Sequence, residues 1–158
     1  MLGTGLTPGE VRALKLEDAI STGAASQRGT PWKLRIVGNG NMPARETPIA
    51  AWAGMLLRHW IEVRSSQGIV GPMMFPSTRT GKPWSKRNQY DSAKSVLEAA
   101  DIDSTDGGSF RLRHTFAMRQ LKRGRKPDEI ARWLGVSDLS KVMSRYLRVV
   151  SAPVDLAY

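Results

Sequence analysis

The chain has 158 residues, 41% of them apolar, which is enough for one compact domain with a hydrophobic core. It carries 24 Lys and Arg against 14 Asp and Glu, a net charge of +10. This excess favours an anionic partner, nucleic acid first, and a generally basic protein such as a ribosomal component is the alternative. The absence of cysteine excludes disulfides and thiolate metal sites, and no apolar run approaches the ~20 residues of a membrane span. We therefore expect a single soluble intracellular domain over residues 1–158, without metal or small-molecule cofactor.

The first predicted elements are a short helix and an antiparallel hairpin. Residues 7–10, Thr-Pro-Gly-Glu, have the composition of a capping box with proline in the first turn of a helix. Residues 32–37 alternate apolar and basic side chains, which is typical of a half-buried strand. Residues 38–41, Gly-Asn-Gly-Asn, are a strong turn signal, and residues 45–49 are the predicted partner strand.

The remaining elements are predicted to be helices. Two apolar stripes have helical spacing, the first at Trp52, Met55, Leu56, Trp60 and Val63, the second at Tyr90, Ala93, Leu97 and Ala100. Three further helices are predicted over 112–123, 127–134 and 138–149, where Gly124, Pro127 and Gly135 suit helix ends. The fold class is therefore α+β, predominantly helical, with a small antiparallel sheet.

The positive charge is concentrated in the C-terminal third of the chain. Between Arg111 and Arg148 there are eleven basic residues and three acidic ones, so this segment holds eight of the ten net positive charges. We expect a nucleic-acid footprint to centre there.

Four separate pieces of sequence occur in a fixed order. They are residues 4–14 (TGLTPGEVRAL), residues 110–117 (FRLRHTFA), residues 134–137 (LGVS) and Tyr146. Together they resemble the catalytic domain of the tyrosine recombinase, or phage integrase, family. The resemblance covers roughly residues 2–150 and implies that family's fold. It also implies a reaction in which a tyrosine hydroxyl attacks a DNA phosphate, with cationic side chains holding the charge on the phosphate oxygens.

Only two of the family's catalytic positions are filled as usual. Arg113 stands at the second arginine and Tyr146 at the nucleophile. Four assisting positions are substituted: Thr7 replaces the first arginine, Asn39 lies in the turn that usually carries lysine, and Phe110 and Val136 replace two histidines. Arg12 is about 140° around the helix from Thr7 and is a poor stand-in. Loss of one transition-state donor costs about 10²- to 10³-fold in rate, so we expect a degenerate active site.

Further side chains are candidates for contact with the DNA backbone, and each has a structural alternative. The predicted DNA-binding residues are Arg111, His114, Arg45, Lys86, Arg87 and Lys141. The alternative for His114 is a buried structural hydrogen bond. The alternatives for Arg113 are an ordinary solvated face and a structural ion pair, and the alternative for Tyr146 is packing on the apolar stripe of the last helix. Trp84 alternates with basic residues near Lys86, whereas packing is expected for Trp32, Trp52, Trp60 and Trp133.

The leading hypothesis is a DNA-binding protein of this family, linked to DNA integration and recombination and catalytically degenerate. The competing hypothesis is an active, divergent recombinase or relaxase-like enzyme that cleaves and rejoins DNA through Tyr146. A third is that the chain is a fragment, since the family's N-terminal DNA-clamping domain is absent. Duplex DNA is the expected partner, with other recombinase protomers as further candidates. The expected location is the bacterial cytoplasm, at the nucleoid, in a chain borne by a bacterium, phage or plasmid.

Overall fold

The computed structural model describes residues 1–22, 29–38, 42–77, 80–102 and 108–136. Its helices are α1 (Pro8–Ala13), α2 (Ala51–Ser66), α3 (Lys86–Glu98), α4 (Gly108–Lys122) and α5 (Pro127–Leu134), and a 3-10 turn spans Leu16–Asp18. Its strands are β1 (Ala19–Ser21), β2 (Pro31–Ile36) and β3 (Arg45–Pro48). They form one antiparallel sheet in the order β1-β2-β3. The predicted class, helix-rich α+β with a small antiparallel sheet, is confirmed.

Helix α1 begins at the capping box that the sequence predicts. The Thr7 hydroxyl accepts a hydrogen bond from the Glu10 backbone N–H at 3.2 Å, and the Glu10 carboxylate accepts one from the Thr7 N–H at 2.8 Å. These two bonds satisfy backbone donors that a helix start otherwise leaves open. They also fix the Glu10 side chain, which points inward and is almost fully buried.

The predicted hairpin is present as β2 and β3, and its turn at residues 39–41 lies outside the described residues. Leu34 and Ile36 of β2 are buried and Arg35 is exposed, as the alternation predicts. The third strand, β1, was missed because three residues are too few to show a period of two. It forms by pairing with β2, in a register that sets Ala19 opposite Leu34.

Two apolar clusters form the core, and the loop before α1 lies between them. One contains Leu6, Leu14, Leu34, Ile36, Ile49 and Met74, and the other contains Phe116, Ala117, Leu121, Ile130, Ala131 and Leu134. Gly5 has φ +70°, and a Cβ there would lie 2.6 Å from Phe116 and 2.8 Å from Leu134. Glycine is therefore required where the loop passes from one cluster to the other.

The expected buried stripe of α2 is partly wrong. Trp52, Met55 and Leu56 are exposed, and the inward face is formed instead by smaller or later residues such as Ala53, Gly54, Leu57 and Ile61. The reason is close packing on the sheet, since a Cβ at Gly54 would collide with the Pro31 carbonyl oxygen of β2. Three further expectations of burial fail: Trp32 is 45% exposed, Tyr90 is 53% exposed, and Ala100, which lies beyond the end of α3, is exposed.

Candidate functional site

The centre of the site is a buried carboxylate between two buried guanidinium groups. Glu10 Oε1 lies 2.6 Å from Arg45 Nη1, and Glu10 Oε2 lies 3.8 Å from Arg113 Nη1. All three side chains are less than 10% exposed. Removing charges from water is costly, and the cost is offset here by mutual pairing and by hydrogen bonds to the backbone. The cluster brings together α1, β3 and α4.

Arg113, the residue at the family's second arginine, is held by two backbone carbonyl groups. Its Nη1 donates to the Gly5 oxygen at 2.6 Å, and its Nη2 donates to the Leu134 oxygen at 2.7 Å. The guanidinium group thereby links the loop before α1 to the last residue of α5. In addition to any contact with a phosphate, Arg113 has a structural role in this chain.

Arg45 is also directed inward. Its Nε donates to the Trp133 oxygen at 2.7 Å, one residue before the carbonyl that Arg113 binds. Gly135 follows in the left-handed conformation, with φ +67°, and a Cβ there would lie within 3.0 Å of the Arg45 side chain. Contact of Arg45 with DNA stays a prediction, and this geometry does not favour it because the guanidinium group is buried against Glu10.

At the positions where the family's assisting residues are replaced, the side chains either form other hydrogen bonds in the fold or have no group that can transfer a proton. The Thr7 hydroxyl is part of the α1 cap. Phe110 is 50% exposed on the first turn of α4, and Val136 packs against the Phe116 cluster. Asn39 lies outside the described residues. Neither Phe110 nor Val136 can donate a proton, and the Thr7 hydroxyl carries no positive charge.

The other candidate DNA-binding residues lie on the surface or outside the described part of the chain. Lys86 and Arg87 are exposed at the start of α3, where Arg87 Nε lies 3.7 Å from an Asp91 carboxylate oxygen. Arg111 is exposed on α4, and His114 is partly buried. Lys141 and Tyr146 fall outside the described residues. Much of the remaining C-terminal charge is also exposed, at Arg119, Lys122, Arg123, Arg125, Lys126 and Arg132.

Sequence reasoning missed the ion cluster and one further contact, between Arg12 and Gln89. The capping box identified Glu10, but nothing local indicates its partner Arg45. Arg45 and Trp133 are 88 residues apart, and Arg12 and Gln89 are 77 apart. Such pairs are visible only once the helices are placed on the sheet.

The Glu10 carboxylate makes stability depend on pH. Burial alone would raise its pKa, but the contact with Arg45 and the hydrogen bonds with Thr7 hold the pKa below its ordinary value of 4.5. A lowered pKa in the folded state contributes stability that is present above the unfolded value and lost as pH falls through the folded value. We expect the midpoint temperature of thermal unfolding to decrease as the pH is lowered below about 4.5. Part of that fall should be absent in Glu10→Gln, and equal pH profiles for the two proteins would refute the assignment.

A model of the phage integrase family matches residues 1–152. The chain belongs to this family. The sequence matches no curated relative. Within the residues that the structure describes, no helix combines the length and apolar character needed to cross a bilayer.

Solved tyrosine recombinases and transposon integrases have the same fold. XerA recombinase superposes with a TM-score of 0.75 at 19% identity, over 96% of this chain and 55% of that one. XerH, bound to a palindromic difH substrate after cleavage, superposes with a TM-score of 0.73 at 20% identity, over 92% of this chain and 38% of XerH. The Tn1549 transposon integrase, in complex with transposon right end DNA, superposes with a TM-score of 0.66 at 15% identity, over 90% of this chain and 50% of the integrase. The chain spans about half the length of the XerA and Tn1549 proteins, and less of XerH.

Proposed function

We propose that this integrase-family domain binds the backbone of duplex DNA and does not cleave it. The observation that carries the proposal is the set of exposed basic side chains on a recombinase fold: Lys86 and Arg87 on α3, and Arg111 on α4. Lys141 is included because it belongs to the basic segment between Arg111 and Arg148, and His114 is a weaker candidate because it is partly buried. XerH and the Tn1549 integrase were each solved in complex with DNA. The domain would act in DNA integration or recombination, in the bacterial cytoplasm at the nucleoid.

The absence of cleavage in the proposal follows from the side chains at the substituted positions. Phosphoryl transfer from DNA needs cations on the phosphate oxygens and a proton for the leaving oxygen. Thr7 supplies no charge, and Phe110 and Val136 supply no proton. Arg113 stays in its family position but is hydrogen-bonded to two carbonyl groups, and Tyr146 is expected at the nucleophile position. These residues favour binding without strand exchange.

Backbone contacts predict a strong salt dependence. Lys86, Arg87 and Arg111 would together neutralise about three phosphates. A plot of the logarithm of the association constant against the logarithm of the salt concentration should then have a slope near −2.7. Between about 50 and 200 mM salt, affinity for a fluorescent duplex should therefore drop about 40-fold. Fluorescence anisotropy measures both quantities.

A matched pair of variants locates the contact. Arg111→Ala should weaken binding and reduce the slope by about 0.9, since one phosphate contact is lost. Arg58→Ala removes an equal charge from an exposed arginine on α2 that pairs with Glu62, and should change binding little. An affinity for duplex that does not vary with salt would overturn the proposal.

A further inference from the structure

The junction of α1 and α3 holds an arginine on a buried amide. Arg12 Nη1 donates to Gln89 Oε1 at 2.7 Å, and Gln89 is only 4% exposed. The Gln89 Nε2 group is buried and, among the described residues, has no hydrogen-bond partner. A buried donor without an acceptor costs about 1–3 kcal/mol. The carbonyl oxygen of this amide thus orients a guanidinium group, while its nitrogen lacks an acceptor.

The Arg12 guanidinium group lies back along α1 towards Thr7. A Cβ built on Gly9 would lie 3.8 Å from Arg12 Nη2 and 4.0 Å from the Thr7 hydroxyl, so the two groups flank one small space. The angle between positions 7 and 12 around the helix made Arg12 a poor substitute for a cation at Thr7. Long side chains on a helix point towards its N-terminus, and this direction brings the Arg12 guanidinium group beside Gly9.

The charge of Arg12 is not neutralised within the described part of the chain. Its hydrogen bond goes to a neutral amide, and no described carboxylate forms an ion pair with it. Lys86 is exposed and lies one turn before Gln89 on α3, and residues three apart on a helix are neighbours on its surface. Arg12 and Lys86 are therefore the two cations at this junction, and an oxyanion is the ligand that suits them.

We propose that Arg12 binds a DNA phosphate at this junction, as one more contact with the DNA backbone. Gln89 is a positioning residue that holds Arg12, and Lys86 adds a second cation. The inference rests on the proposed function, since it assigns one contact within the same DNA-binding surface.

The test compares Arg12→Ala with Arg58→Ala by titrating a fluorescent duplex at several salt concentrations. Loss of one phosphate contact should weaken binding about eightfold at 0.1 M salt and reduce the salt slope by about 0.9. Arg58→Ala removes the same charge and should leave the slope unchanged. Arg12→Ala should also destabilise the fold, because the buried Gln89 Oε1 loses its hydrogen-bond donor. The double variant Arg12→Ala/Gln89→Leu removes both polar partners and should restore stability while keeping the binding loss.

The outcomes separate this inference from the proposed function. If the unmodified protein binds duplex with a steep salt slope but Arg12→Ala and its double variant match Arg58→Ala, the Arg12 contact is refuted and DNA binding stands. If the unmodified protein does not bind duplex, both proposals fail. Gln89→Leu alone should weaken binding while leaving the salt slope nearly unchanged, since the Arg12 charge stays. Unchanged affinity in that variant would remove Gln89 from its positioning role.

Discussion

Replacing Glu10 with alanine is expected to lower the free energy of unfolding by about 3–5 kcal/mol. The substitution leaves the guanidinium groups of Arg45 and Arg113 without their shared carboxylate, and both side chains are less than 10% exposed. It also removes the acceptor for the Thr7 N–H at the start of α1. Urea denaturation followed by circular dichroism gives the difference.

Glu62→Ala is the matched control for this effect. Glu62 also pairs with an arginine, Arg58 at 2.9 Å, but that pair is exposed on α2. Exposed pairs contribute about 0–1 kcal/mol, so the control should be nearly neutral. If Glu10→Ala were as mild as Glu62→Ala, the buried cluster would not be holding α1, β3 and α4 together.

Replacing Arg113 with alanine is expected to destabilise the fold by a similar amount, about 3–5 kcal/mol. The main cost comes from the buried carbonyl oxygens of Gly5 and Leu134, which lose their donor, and each unsatisfied group costs about 1–3 kcal/mol. Glu10 keeps Arg45 as its partner, so part of the carboxylate stabilisation survives. Chemical denaturation measures the loss.

Arg111→Ala separates folding from binding at a neighbouring position. Arg111 is exposed on the same helix, so its removal should change stability by less than about 0.5 kcal/mol while weakening duplex binding. An unstable Arg113→Ala protein beside a stable Arg111→Ala protein would support a structural role for Arg113 and a binding role for Arg111. The opposite pattern, a stable Arg113→Ala protein with weakened DNA binding, would show that Arg113 acts mainly on DNA and that its two carbonyl bonds matter little.

Local signals in the sequence predicted the elements whose ends are defined by their own residues. The capping box at Thr7 and Glu10, the alternation of β2, and helix α5 between Pro127 and Gly135 were all correct. Elements whose form depends on distant partners were missed or misread. Strand β1 has three residues and exists through its pairing with β2. The inward face of α2 is set by the close approach of Gly54 to Pro31.

The same limit applies to the site. The order of motifs identified the family and placed Arg113 at its second arginine, but the resemblance assigned it only a catalytic role. Its bonds to Gly5 and Leu134 join residues 108 and 21 positions away. Arg45 looked like a surface cation on a hairpin, whereas the fold places it beside Glu10 and Trp133. Charge and spacing cannot distinguish a basic residue that faces DNA from one that holds the fold together.

Covalent trapping tests most directly whether the domain binds DNA without cleaving it. The protein and Tyr146→Phe are each incubated with a suicide duplex, nicked or carrying a phosphorothiolate, and adducts are resolved on a denaturing gel. We expect both proteins to shift the duplex on a native gel at low salt and neither to form a covalent adduct. An adduct formed by the unmodified protein and lost in Tyr146→Phe would show that tyrosine attack survives the substitutions at Thr7, Phe110 and Val136, and would contradict binding without cleavage.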